Sequence, residues 1–205
     1  MNFLRLLLKP RMLILYAFTL TTFLGMVAIN ALAPRPTTGS NVSNVDVGEL
    51  VPYHAQGFGL SLLVPSNWQA PINLDADRLL ISETGSTNIS PTADPFLIVV
   101  TDALNVFKRQ LTLRDDYSDP QQQLDALVAA LNRDAPGFRP AEKYEGANYP
   151  GAITRGFERG NELMIILLDA GERGWIYIGA QTKESQFDHY EQNVFLPISN
   201  SLKLD

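Results

Sequence analysis

From Met12 to Ala33 the chain carries no charged side chain, and this run constrains how everything after it can be placed. Its twenty-two residues, if helical, would reach roughly 33 Å, enough to cross a hydrocarbon core of about 30 Å. Arg5, Lys9 and Arg11 precede the run, and residues 1–33 contain no acidic residue. The positive-inside rule then keeps residues 1–11 cytoplasmic and sends the C-terminal part across. A removed signal peptide is the alternative, because Ala31-Leu32-Ala33 has the A-x-A cleavage pattern. Against removal, a signal peptide's apolar core is usually about 7–15 residues, and Pro34 would fit poorly after the scissile bond. The expectation is a single-pass signal-anchor helix over 12–33 with an extracytoplasmic domain (periplasmic or at the cell surface). On that helix Thr21, Gly25 and Ala28 fall at i, i+4 and i+7 among larger apolar residues, forming one seam of small side chains suited to close packing.

Residues 34–50 are rich in Pro, Ser, Thr, Asn and Gly and read as a linker. A flexible coil of this length averages roughly 23 Å end to end, which holds the remainder near the membrane surface. Residues 51–205 then suffice for one domain with its own core. Three of the sixteen basic residues lie in 1–33, leaving thirteen against twenty-two acidic ones, a net −9 for the rest. Such a charge argues against nucleic acid as a partner, since duplex binding rests on neutralising phosphates. The absence of cysteine excludes disulfides, thiolate metal sites, Cys nucleophiles and a lipidated N-terminal Cys.

Within the domain, Phe58, Leu60, Leu62 and Val64 alternate with other residues, the period-2 pattern of a strand with one buried face. Leu79–Ser82 and Phe96–Thr101 are further short strands, and Phe107–Leu113 a weaker one. The period then changes. Asp119 suits an N-cap, Pro120 the first helical position and Gln122 a capping box. Leu124, Leu127, Val128 and Leu131 follow as one apolar stripe. Gly151–Glu158, Glu162–Asp169 and Trp175–Gln181 are three strands joined by short turns, hence an antiparallel meander. Met164–Leu168 is unbroken apolar, as in a central strand covered on both faces. A last helix starts near Glu184 with Phe187, Tyr190, Val194, Ile198 and Leu202 on one face, and Pro197 should kink or interrupt it. The class is α+β: an antiparallel sheet flanked by helices, preceded by one transmembrane helix.

The stretch Gly57-Phe58-Gly59-Leu60-Ser61-Leu62-Leu63-Val64-Pro65-Ser66-Asn67-Trp68 resembles the opening of PsbP-like domains, a Gly-Phe strand running into P-x-x-W. The closing Ile198-Ser199-Asn200-Ser201-Leu202 resembles that family's terminal helix. The resemblance spans about residues 53–205 and implies an α/β/α sandwich around an antiparallel sheet. It also implies a non-enzymatic role, since the namesakes are extrinsic subunits on the lumenal side of photosystem II and other members are exported, often lipid-anchored proteins. This chain lacks the Cys of a lipoprotein, so the apolar helix would serve as the anchor. No ligand set carries over, and a photosystem II role is not implied.

The chemistry-bearing residues are few. His54 and His189 are the two histidines, and no G-x-S-x-G sequence presents a nucleophilic serine. His189 lies in the last helix near Glu184, Asp188 and Glu191 and reads as a surface residue. Asp102, Asp115, Asp116 and Asp119 lack the spacing of a calcium loop, and Asp75-Ala76-Asp77 is as weak. Gly57-Phe58-Gly59 lacks the third glycine and following helix of a dinucleotide loop. Trp68, Trp175, Tyr177 and Phe157 are expected in the core, with a pocket lining the alternative. No catalytic, metal-ligating or cofactor-binding residue is expected, and no cofactor. The functional expectation is a membrane-anchored, non-catalytic accessory subunit. It would dock on or stabilise a larger membrane complex, photosynthetic or respiratory, with the membrane and that complex's subunits as partners. The alternative is a membrane-tethered module that binds a small molecule or lipid.

Overall fold

The structure is a computed structural model, and it describes residues 46–87, 94–101, 103, 119–132, 137–158 and 160–205. The expected membrane helix with Thr21, Gly25 and Ala28, the strand at 107–113, and Asp102, Asp115 and Asp116 lie outside the described residues. Among the described residues no helix is long and apolar enough to cross a membrane.

Ten strands are described: β1 (Leu50–Ala55), β2 (Leu60–Pro65), β3 (Ile72–Asn73), β4 (Arg78–Ser82), β5 (Phe96–Val100), β6 (Glu142–Glu145), β7 (Pro150–Glu158), β8 (Asn161–Asp169), β9 (Trp175–Lys183) and β10 (Lys203–Leu204). The helices are α1 (Pro120–Leu131), α2 (Phe187–Tyr190) and α3 (Leu196–Ser201), the last two joined by a π-helical turn, Glu191–Phe195. Seven strands form one antiparallel sheet in the order β3-β4-β5-β9-β8-β7-β6, and β1-β2-β10 form a second, smaller one.

The nine residues of β8 pair with β9 over their whole length and with β7 over most of it. This is why Met164–Leu168 carries no polar break: both faces are covered. Met164, Ile166 and Leu168 point into one core and Leu163, Ile165 and Leu167 into the other. The second core is closed by α1 through Leu124, Leu127, Val128 and Leu131. The first is closed by Phe187, Tyr190, Val194, Phe195 and Ile198 together with Leu60, Leu62 and Val64 of the small sheet. An α+β domain with an antiparallel sheet covered on both faces is therefore observed, one cover being a helix and the other a helical segment plus a three-stranded sheet. Each fully buried leucine or isoleucine in these layers contributes about 1.5–3 kcal/mol.

Local signals account for most boundaries. Asp119 caps α1, its carboxylate accepting the Gln121 N–H at 3.0 Å, and Pro120 opens the helix. Asn132 ends it and binds the chain that follows, accepting from Phe138 N–H at 3.1 Å and donating to the Phe138 carbonyl at 3.0 Å. The sheet edges are blunted: β3 has two residues, and β6 reads Glu-Lys-Tyr-Glu, too charged to invite another strand. Trp68, Trp175 and Tyr177 are core residues, as expected, whereas Phe157 is only half-buried. The small sheet was less legible. β1 begins at Leu50 and contains His54, in a stretch where the sequence shows no strand period. β10, near the C-terminal end of the sequence, adds to β2 on the side opposite β1.

Candidate functional site

The small sheet forms one wall of an open groove of about 610 Å³, bounded by Tyr53, Leu62, Leu63 and Lys203 on the strands and by Asn148 and Asn200 across from them. The opposite wall is held by side-chain hydrogen bonds. Asn148 Nδ2 donates to the carbonyls of Asn200 (3.0 Å) and Leu202 (2.9 Å). The Tyr144 hydroxyl donates to Asn200 Oδ1 at 2.8 Å, and Tyr149 accepts from the Leu204 N–H at 3.0 Å. Burial pushes the Tyr144 hydroxyl up to about 12, so it remains a donor throughout the physiological range. Ser201 Oγ accepts the Leu63 N–H at 2.8 Å and joins α3 to β2. The groove is thus a fixed surface feature between two stitched elements.

One rim of the groove carries a polar trio that the sequence did not reveal. β1 and β2 pair His54 with Ser61, and β10 brings Asp205 beside them. His54 Nδ1 lies 3.1 Å from Ser61 Oγ and 3.4 Å from Asp205 Oδ2, and Ser61 Oγ donates to Asp205 Oδ1 at 3.2 Å. These are the residue types of a hydrolytic triad, but the connectivity differs. A relay needs serine on one ring nitrogen and the carboxylate on the other. Here both meet Nδ1, and the serine proton points to the carboxylate. The trio also stands in solvent, with about half of the His54 and Asp205 side chains exposed (54% and 45%). The arrangement can bind through hydrogen bonds; it is not set up to activate a nucleophile. The signal that could have found it was the hairpin: Gly57 and Gly59 adopt φ of +97° and +57°, which closes β1 onto β2 and sets the register.

The other residues singled out from the sequence are dispersed. His189 lies on the last helical segment, its Nδ1 3.4 Å from the Asn193 amide and its ring edge-on to Tyr190. Asp75 is clamped by the Arg78 guanidinium and accepts the Asp77 N–H at 3.0 Å. Burial raises its carboxyl, but the hydrogen bonds and charge of Arg78 outweigh that and hold it below the usual range. Among the described residues no three His, Asp or Glu side chains converge to hold a metal ion.

A second polar cluster lies where the helical segment meets the main sheet. Arg155 of β7 donates through Nε and Nη2, both at 2.6 Å, to Glu191 Oε1 in the π turn. Beside it Glu162 of β8 faces Arg139 at 3.7 Å. Burial raises the Glu162 carboxyl above its ordinary value; Arg139 opposes this, and Asp188, Glu184 and Glu191 add to it.

Fold and site together define a class: an α+β domain with a sheet covered on both faces and an open, polar-rimmed groove, without an assembled catalytic relay among the described residues. No protein-family profile matches the chain, and no curated protein does. Among solved structures it is similar to the Ran-binding protein Mog1p of Saccharomyces cerevisiae, at 11% identity and a TM-score of 0.44, over 77% of this chain and 96% of that one. It is also similar to cyanobacterial PsbP from Synechocystis sp. PCC 6803, at 11% identity and a TM-score of 0.45, over 86% of this chain and all of that one.

Proposed function

We propose that this protein is a membrane-anchored, non-catalytic accessory subunit whose extracytoplasmic domain docks on a larger membrane complex. One observation carries the reading: twenty-two uncharged residues behind Arg5, Lys9 and Arg11 precede, by a short linker, a domain with its own two-sided core. A chain built this way holds a folded unit within a few nanometres of the bilayer, where its partners would be membrane proteins. The groove supports the docking part, because it is an open surface between fixed walls, suited to a protein segment better than to an enclosed small ligand. The Gly-Phe strand running into Pro65-x-x-Trp68, with its PsbP-like resemblance, points to an electron-transfer or photosynthetic complex as the version of this reading to test first.

The second reading, a tethered module for a small molecule or lipid, draws on the same groove, whose volume would admit a ligand of modest size. Purification of the full chain from its native membrane in mild detergent separates the two. Stable co-elution with other membrane subunits, identified by mass spectrometry, is the expected result. A subunit-free protein carrying a bound small molecule or lipid would replace the first reading by the second. An intact mass beginning at Pro34 would remove the anchor from both.

A further inference from the structure

Two asparagines line the groove across from the small sheet, and each uses only one end of its amide to hold the fold. Asn148 Nδ2 donates to the Asn200 and Leu202 carbonyls at 3.0 and 2.9 Å. Asn200 Oδ1 accepts from the Tyr144 hydroxyl at 2.8 Å and from the Ala147 N–H at 3.3 Å. These partners fix which end of each amide is nitrogen and which oxygen, because a carbonyl only accepts and a backbone N–H only donates. One acceptor, Asn148 Oδ1, and one donor, Asn200 Nδ2, are left over, and neither has a partner among the described residues. A held donor and a held acceptor on neighbouring residues match the C=O and N–H of an extended main chain.

The charge around these asparagines is the reverse of the domain's. The chain beyond residue 33 carries a net −9. Yet among the described residues no Asp or Glu lines the groove, whereas Lys203 and His54 do. Lys203 is exposed and pairs with no carboxylate among the described residues. The Asp205 carboxylate is engaged at the rim, where it accepts the Ser61 hydroxyl at 3.2 Å and faces His54. Tyr53 and Leu63 add apolar surface to the same groove. Pro52 has no N–H and lies on β1, the outer strand of the small sheet, which discourages the addition of a further strand there. Main-chain recognition therefore falls to Asn148 and Asn200.

We propose that the groove binds an extended, acidic segment of a partner protein, with Asn148 and Asn200 taking its main chain and Lys203 pairing with one of its carboxylates. This rests on the docking reading above and names the chemistry of the segment that docks.

The test is selection of a random seven-residue peptide library on the full chain in neutral-detergent micelles at low salt, with the retained peptides sequenced. Acidic residues should be enriched about threefold at one position over the starting pool, the scale of an exposed ion pair. The enrichment should shrink as salt screens the pair. Lys203→Gln should abolish it. Asn200→Asp keeps the oxygen that Tyr144 and Ala147 need but replaces the donor by a negative charge, so it should lower retention of acidic peptides by about tenfold. Lys203 is exposed, so its replacement tests the site even if Asn200→Asp does not fold. Lys183→Gln, at an exposed position of β9 outside the groove, should change nothing. Absence of acidic enrichment, enrichment that survives Lys203→Gln or Asn200→Asp, or its loss in Lys183→Gln would overturn the proposal. The docking reading is judged separately. Acidic peptides retained by a chain that elutes alone from its native membrane would keep the groove chemistry and remove the membrane complex. Subunits that co-elute undiminished with Lys203→Gln and Asn200→Asp would keep the complex and remove this groove as its docking site.

Discussion

A Cβ placed on Gly156 would lie 2.5 Å from Cδ1 of the Phe138 ring and 2.8 Å from its Cγ. Gly156 and Phe138 also form an isolated bridge that ties the end of α1 to β7, so the ring cannot simply turn away without loosening that junction. Gly156→Ala should cost about 1–3 kcal/mol by overpacking, lowering the melting temperature by about 2–4 °C for each kcal/mol in a domain of this size. Thermal unfolding followed by circular dichroism checks it, and an unchanged melt would mean the ring is free to move. Gly57 is the opposite case: nothing lies near its missing Cβ, but its φ of +97° is one that other residues rarely adopt. Neither constraint was legible beforehand. Gly151–Glu158 reads simply as a strand, and nothing in its spacing says that Phe138 packs on one of its glycines.

The helical segment from Phe187 onward followed its sequence pattern, and Pro197 disturbed it, but the disturbance took a form the pattern did not specify. Proline cannot donate to the carbonyl four residues back, so the ladder before it is free to widen. The π turn at Glu191–Phe195 takes up that slack, and the extra residue lets Phe195 join Val194 in the core, both fully buried. A regular 3.6-residue period had assigned only Val194 to that face. Phe195→Ala should therefore cost about 3–5 kcal/mol, as for a core aromatic. The neighbouring Leu196→Ala, at a half-buried position, should cost about 1 kcal/mol. Urea unfolding of the two variants decides it: equal losses would place both on the rim and make the π turn incidental.

At the scale of the whole molecule, two raised carboxyls among the described residues, Glu83 and Glu162, favour mild acid. Burial, then the neighbouring Asp94 charge, raises Glu83, and burial leads the raising of Glu162. The stability these two contribute is complete below the unfolded carboxyl value of about 4.3 and is lost as pH climbs through their folded values. Asp75, held low by Arg78 despite burial, works the other way. Its contribution is present above the unfolded value of about 3.9 and is lost as pH falls through its folded value. The melting temperature of the full chain should therefore peak in mild acid, about pH 4, and decline towards neutrality. Melts recorded from pH 3 to pH 8 test this; stability that rises from pH 5 to pH 8 would refute the assignment of Glu83 and Glu162.

Whatever depended on one stretch of chain was readable from the chain alone: the meander around Met164–Leu168, the capped helix behind Asp119, the alternation of Leu60, Leu62 and Val64, and the uncharged run at 12–33. Side-chain period and capping are local, so a single segment carries the whole signal. Tertiary structure alone decided the rest. The two-residue strands β3 and β10 are too short to show a period and exist only because β4 and β2 offer them hydrogen bonds. The groove rim gathers His54, Ser61 and Asp205 from both ends of the domain, and two ion pairs join Arg139 to Glu162 and Arg155 to Glu191 from separate parts of the chain. Charges and hydroxyls have no periodicity that announces their partners; their meeting is set by sheet order, which is fixed only when distant strands pair.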